Sequence, residues 1–185
     1  MPSPSTSPSL SASFRAVRRL RRGRAVARMN GWSEAVFGGL AILFGIFSVT
    51  SLLAGIGLIV VARRELRWAR ELGRLDSRAP RALALNQLVL LAGVLAYSGW
   101  QVYAGLTGPG VLERYPELGQ LSSNGASVDF DGMWKTAVVA TYATVAVLSL
   151  VLQGTTAWWY ASLRTPLATL HATSPAEQPA MSAAA

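Results

Sequence analysis

Three long runs without a charged residue organise this chain. They lie at 35–62, 83–110 and 136–163, and each is 28 residues long. About 20 apolar residues at roughly 1.5 Å per residue cross the hydrocarbon core of a bilayer, and a soluble chain of this size has no core that could bury three such helices. The pattern therefore predicts an all-α integral membrane protein with three to four membrane-embedded helices, in a transmembrane region 31–163 with helices at 31–62, 82–106 and 134–160.

The first run has two interpretations. As one straight helix it would be about 42 Å long, which exceeds a single untilted span. Polar residues lie near its middle, at Ser48, Thr50 and Ser51. Hydroxyl side chains can satisfy backbone groups at a break, so a helical hairpin with arms 32–47 and 51–68 is the alternative. Glycines at 38, 39, 45, 55 and 57 are expected to be helix-packing positions.

The connection at 63–81 is rich in arginine and predicts a short amphipathic connecting helix. Its apolar side is expected to consist of Leu66, Ala69, Leu72 and Leu75, which recur every three residues. Asp76 or Ser77 can cap the helix that follows.

Both termini and the longest connection are polar. Residues 1–30 are expected to form a disordered, polybasic tail, with a basic surface helix carrying Phe14, Val17 and Leu20 on one face as the alternative. The composition also fits an organelle transit peptide. An acidic loop is expected at 107–133, in which Asp129–Gly132 forms an ordinary turn, and a second disordered tail is expected at 164–185.

Charge distribution bears on topology. Of 17 basic residues, seven lie at 15–28 and seven at 63–81. Basic segments stay on the inner side of a membrane. A hairpin puts both clusters inside and the acidic loop outside, whereas a single first span, with the N-terminus outside or inside, separates the clusters.

One segment resembles a known group. The residues that carry the resemblance are Arg74, Leu75, Asp76, Arg78, Ala79 and Pro80 in an arginine-rich connection that ends in R-A-P, followed by Asn86, Gln87 and Leu88. Over about residues 31–103 the chain resembles a group of small bacterial membrane proteins of unknown function. The resemblance implies a membrane fold and no activity.

Residues that carry chemistry are sparse. The chain has no cysteine and one histidine, His171 in the polar tail, so no metal site or cofactor is expected. No charge lies within the three runs, and no paired carboxylate, nucleophile triad or phosphate loop is recognisable. An enzyme is therefore not expected. The pI near 11.0 reflects topogenic arginines rather than nucleic-acid binding.

Two functions remain open. The first is a structural or interaction bundle with an arginine-rich inner face that contacts anionic lipid or a protein partner through Arg18, Arg19, Arg21, Arg22, Arg63, Arg64, Arg67, Trp68 and Arg70. The alternative is a transport-related, channel-like oligomer or accessory subunit. Interhelix polar contacts are expected from Asn86, Gln87, Thr136, Thr141, Thr144 and Gln153. We expect the protein to lie in the cell membrane, in particular the bacterial inner membrane, with an organelle membrane as the alternative. A homo-oligomer is a further expectation.

Overall fold

A computed structural model describes residues 8–45, 48–110, 113, 115 and 129–172. Within these ranges every regular element is a helix, so the expected all-α class is confirmed for this part of the chain. The helices are α1 Pro8–Phe44, α2 Val49–Gly73, α3 Ala79–Thr107, α4 Phe130–Ser162 and α5 Arg164–Ala172. They group into two compact units, the first Met1–Leu90 with Thr155–Ala185 and the second Leu91–Gly154.

The first apolar run is a helical hairpin rather than one straight helix. Helix α1 ends at Phe44 and α2 begins at Val49. Ser48 has an extended backbone and caps α2, because its Oγ accepts a hydrogen bond from the backbone N–H of Ser51 at 3.4 Å. The polar residues thus begin the second arm, which starts at Val49 rather than at the predicted residue 51.

Glycines let the two arms approach closely. A Cβ added at Gly38 would lie 3.0 Å from the Cβ of Leu58, and one at Gly45 would lie 2.9 Å from the Cβ of Leu52. Gly45 follows Gly38 in the first arm, but its neighbour Leu52 precedes Leu58 in the second arm, so the two arms are antiparallel. Gly55 faces the backbone of α1 in the same way. Gly39 and Gly57 face open space, so the packing role predicted for these two glycines is wrong within one chain.

The N-terminal half of α1 corrects the prediction of a disordered tail. Residues 8–30 are helical, and Ala16, Leu20 and Ala27 are buried in the core of the first unit. These three side chains recur at spacings of four and seven residues, which places them on one face of a helix. Of the predicted apolar face, Leu20 is in the core and Val17 packs against it, whereas Phe14 is exposed.

Helix α2 continues through the arginine-rich connection, so the predicted short amphipathic helix is the C-terminal half of α2. Leu75 is exposed rather than on the apolar side and has a left-handed backbone, with φ of 62°. It ends α2 in a Schellman arrangement, in which the N–H of Asp76 donates to the carbonyl of Glu71 at 3.1 Å. The Asp76 carboxylate accepts from the N–H of Arg78 at 2.8 Å and so stabilises the turn before α3, which begins at Ala79.

Helix α5 corrects the second predicted tail. Residues 164–172 are helical because Leu167 and Leu170 are buried against the core of the first unit. That core also contains Leu72, Leu83 and Tyr160. The rest of both predicted tails, 1–7 and 173–185, and most of the predicted acidic loop lie outside the described residues.

The second unit is a pair of helical segments. The rings of Tyr97 and Tyr142 meet edge to face at 6.0 Å, and Gln101 Nε2 donates to the Tyr142 hydroxyl at 2.8 Å. The Val138 side chain packs against Gly105, next to the position that a Cβ would occupy. Two helical runs of the described chain, Ala79–Thr107 and Phe130–Ala172, are long and apolar enough to cross a membrane.

Candidate functional site

A polar cluster lies inside the first unit. Glu65 on α2 has 0% of its surface exposed. Its Oε2 accepts from Asn86 Nδ2 at 2.7 Å, and its Oε1 accepts from Gln87 Nε2 at 3.1 Å. The Tyr160 side chain on α4 also forms a hydrogen bond with Glu65. Neutral donors from two further helices therefore surround this carboxylate.

A second carboxylate reaches the same donor. Gln87 Nε2 lies 3.4 Å from Glu34 Oε1, so one amide nitrogen contacts both Glu34 and Glu65. Glu34 is 8% exposed, and its Oε2 has no hydrogen-bond partner. The prediction that the chain has no paired carboxylate is therefore wrong, because the fold brings two acids distant in sequence onto one side-chain amide.

The local helices explain why these acids are buried. Glu34 lies well inside α1, between Pro8 and Phe44, on a buried position of the helix. Glu65 belongs to the packed face of α2, which also contains Ala62, Ala69 and Leu72. The neighbouring arginines of α2 are on the other faces and are exposed.

The electrostatics of Glu65 follow from this enclosure. Burial raises its pKa above the usual range, and hydrogen bonds from Asn86, Tyr160 and Gln87 oppose that rise. Among the described residues the ion pair that forms is an exposed one, between Arg74 and Glu71 at 3.1 Å. Hydrogen bonds rather than a basic side chain thus stabilise the buried carboxylates.

The predicted interhelix polar residues divide into two groups. Asn86 and Gln87 join helices, and Asn86 Nδ2 also donates to the carbonyl of Val61 at 3.1 Å. The Thr144 hydroxyl instead donates to the Ala140 carbonyl of its own helix at 2.7 Å. Thr136 and Thr141 are exposed, and Gln153 has a buried Oε1 without a hydrogen-bond partner.

A second feature of the first unit is a cleft of about 370 Å³. Its lining is Arg15, Arg18, Arg19, Arg22 and Trp159. The four arginines lie at positions i, i+3, i+4 and i+7 of α1 and so share one helix face. We call this group the arginine cleft.

The other predicted arginine contacts lie outside that cleft. Exposed side chains include Arg21, Arg63, Arg64 and Arg70. The Arg67 guanidinium lies 5.7 Å from the ring centre of Trp68, a distance suited to a cation–π contact.

Several site residues were not singled out from the sequence: Asn30, Glu34, Glu65, Tyr160, Arg15 and Trp159. Glu65 carried a signal, because the residues three and four positions away are Val61, Ala62, Trp68 and Ala69, without an arginine. With this spacing Glu65 cannot form an intrahelical ion pair like that of Glu71 with Arg74, which indicates a packed position. For Tyr160 and Trp159 we find no local signal.

Comparison with family models, curated proteins and solved structures finds no match to this chain. Within the described residues, no group of three or more histidine, aspartate and glutamate side chains is placed to hold a metal ion. The function must therefore be inferred from the buried carboxylates and the arginine cleft.

Proposed function

We propose that this chain is a membrane-embedded interaction protein whose arginine cleft binds the phosphate-bearing headgroup of an anionic lipid. The observation that carries the proposal is four exposed arginines on one face of α1, next to Trp159, in a helical segment without an acid before Glu34. Like charges one turn apart repel each other, so a bound anion would stabilise this face.

Surface composition supports a membrane location. In the most apolar windows of the runs Ala79–Thr107 and Phe130–Ala172, only 28% and 6% of the residues are buried. A core helix of a soluble protein would be mostly buried, and contiguous apolar surface of this extent is rare on soluble monomers. The hairpin also exposes large apolar side chains: Val36, Phe37, Leu40, Leu43, Phe44, Val49, Leu53, Ile56 and Val60.

The proposed topology has α3 and α4 crossing the membrane and the hairpin entering and leaving by the inner face. The charge-free part of α2, 49–62, is about 21 Å long, which is shorter than a hydrocarbon core of about 30 Å. Whatever depth the hairpin reaches, both of its open ends lie on one side. The contact between Arg24 and Gly73 joins the two basic clusters at that end. The positive-inside rule then makes it the inner side.

Cysteine labelling tests this topology, and the absence of native cysteine makes it clean. We expect Ala25→Cys and Ser77→Cys to be protected from an impermeant thiol reagent in intact cells, and Pro109→Cys to be labelled. All three positions are exposed in the structure. Labelling after permeabilisation is the control for reactivity. If Ala25→Cys and Ser77→Cys reacted from opposite sides, the hairpin topology would be wrong.

The chemistry of the cleft fits a phosphate group. Guanidinium groups bind phosphate oxygens in pairs through parallel N–H donors, which suits headgroup recognition. Tryptophan rings such as Trp159 favour the level of lipid headgroups at a membrane surface. Arg19 is already oriented across the cleft, where its Nη2 lies 3.4 Å from the Ser162 hydroxyl. Anionic lipid on the inner leaflet is therefore the ligand that fits best.

Replacing Arg15, Arg18, Arg19 and Arg22 together by glutamine is expected to lower affinity for phosphatidylglycerol by up to about a thousandfold, since each juxtamembrane arginine contributes about 1 kcal/mol. Native mass spectrometry of the protein, with phosphatidylcholine as the neutral competitor, measures the retained lipid. The matched control replaces Arg63, Arg64, Arg67 and Arg70, which removes the same charge. Equal losses in both variants would show diffuse attraction and contradict a specific cleft.

The transport-related alternative stays a prediction. It requires Asn86 and the threonines of α4 to converge in an oligomer. Within one chain Asn86 is enclosed by Glu65 and Val61, and Thr144 is bonded to its own helix. The arginine cleft needs no such convergence, so we prefer the interaction function.

A further inference from the structure

The buried carboxylates have no part in lipid binding by the arginine cleft. They lie on two arms of the hairpin, with Glu34 on α1 and Glu65 on α2, and they meet at the Gln87 amide of α3. Burying one unpaired carboxylate is costly, and burying two that share the Gln87 donor is costlier, because their charges repel. A folded chain that keeps this arrangement is therefore stabilised when the negative charge of at least one carboxylate is neutralised.

Among the described residues, no basic side chain contacts the pair. The groups that contact Glu65 are Asn86, Gln87 and Tyr160, and none of them carries a positive charge. Asn30 of α1 completes the ring by donating from Nδ2 to the Tyr160 hydroxyl at 3.3 Å. The titratable groups facing one another are thus Glu34 from α1, Glu65 from α2 and Tyr160 from α4, whereas α3 contributes amides alone.

Unpartnered polar atoms within the cluster also point to a bound cation. Asn86 is 2% exposed, its Nδ2 donates into the cluster, and its Oδ1 has no hydrogen-bond partner. Glu34 Oε2 is likewise buried without one. Buried oxygens in this state are rare in folded proteins and call for a ligand.

The geometry favours a proton over a metal ion. Both oxygens of Glu65 already accept hydrogen bonds from amide N–H donors. Hard metal ions prefer several carboxylate and carbonyl oxygens, and among the described residues no group of three or more histidine, aspartate and glutamate side chains is placed to hold one. A proton needs only one free oxygen, and Glu34 Oε2 is free.

We propose that Glu34 and Glu65 form a proton-binding site, in which Glu34 carries an exchangeable proton and Glu65 is the ionised partner held by Asn86, Gln87 and Tyr160. The O–H of Glu34 forms when the site takes up the proton and breaks when the proton leaves to water. When the proton leaves, the carboxylates of Glu34 on α1 and Glu65 on α2 are both negatively charged and both contact the Gln87 amide of α3. Proton occupancy therefore controls how tightly the hairpin packs on α3.

Infrared difference spectroscopy of the purified full-length protein tests the site directly. We expect the carboxyl C=O band of a buried, protonated glutamic acid at neutral pH, its loss in Glu34→Gln, and its retention in the control Glu71→Gln, which removes an exposed acid. In Glu65→Gln the same band should titrate at lower pH, because the neighbouring negative charge is gone. A wild-type spectrum without that band at neutral pH would overturn the proposal, as would a band that sodium or calcium ions displace.

A second measurement covers the case of a variant that does not fold. The folded wild-type chain holds a proton that the unfolded chain releases, so its stability should fall as pH rises above the ordinary carboxylate range. Glu34→Gln keeps the shape of the protonated side chain and should show a smaller fall. Melting temperatures between mildly acidic and mildly alkaline pH measure this difference. Equal slopes for wild type and Glu34→Gln would refute a proton held at Glu34.

Discussion

Replacing Gly55 by alanine is expected to destabilise the hairpin by about 1–3 kcal/mol, although alanine favours helices more than glycine does. A Cβ at this position would lie 2.7 Å from the backbone nitrogen of Ile42 and 2.8 Å from the carbonyl oxygen of Gly38. Both obstacles are backbone atoms, so no change of side-chain rotamer relieves the clash and the two arms must separate. Thermal unfolding of the detergent-solubilised protein measures the loss.

Gly57 provides the matched control, because it lies two residues further along α2 and nothing approaches its position within 4 Å. Gly57→Ala should be neutral or should raise the melting temperature, since the gain in helix propensity is up to about 1 kcal/mol. Opposite signs at Gly55 and Gly57 would establish the packing of the arms. A stabilising effect at both positions would contradict it.

Replacing Glu65 by alanine is expected to cost about 2–4 kcal/mol of folding free energy. The change removes a fully buried side chain and leaves a cavity. It also removes the acceptor of hydrogen bonds from Asn86, Gln87 and Tyr160, and bonds to a charged group contribute about 1.5–3 kcal/mol each. Asn86 keeps the carbonyl of Val61 as an acceptor and Gln87 keeps Glu34, which is why the expected loss is below the sum of the three bonds.

Glu71→Ala is the control for this change, since Glu71 is on the same helix and pairs with the exposed Arg74. Exposed pairs of this kind contribute only a few tenths of a kcal/mol. Chemical unfolding with circular dichroism compares the two variants. Similar small losses in Glu65→Ala and Glu71→Ala would mean that the buried cluster contributes no stability.

The hairpin could be predicted because its sequence carries two independent signals. Ser48, Thr50 and Ser51 interrupt the longest apolar run, and a turn there reconciles the positions of both basic clusters. The structure has the helix break at this place, with Ser48 as the cap of α2. The exact turn could not be predicted, because Gly45 gains its role only from its contact with Leu52 on the opposite arm.

The N-terminal helix shows why other features escaped. The sequence directs attention to Phe14, Val17 and Leu20, the large apolar residues, yet Phe14 is 63% exposed. Leu20 and Val17 do pack on the core, but together with Ala16 and Ala27, small residues whose burial depends on how closely another helix approaches. Composition therefore indicates a solvated basic tail, and tertiary contact decides otherwise.

Only some residues of the candidate sites could be predicted from the sequence, for a related reason. The spacing of the cleft arginines can be read from the sequence, but Trp159 joins them only through the fold. Similarly, Asn86 and Gln87 are recognisable as polar residues near a membrane helix. Their bond to Glu65 requires α2 and α3 to pack in a particular rotation, which local pattern does not specify.

The uninterrupted course of α1 gives the first unit a mechanical property. From Pro8 to Phe44 it has 37 residues, which corresponds to a rod about 55 Å long. The arginine face, Glu34 and Gly38 all belong to this one continuous helix, so a tilt of its N-terminal part also moves the arm of the hairpin that it forms. Under the proposed function, lipid bound at the arginine cleft would therefore act on the packing between the two arms through the tilt of α1.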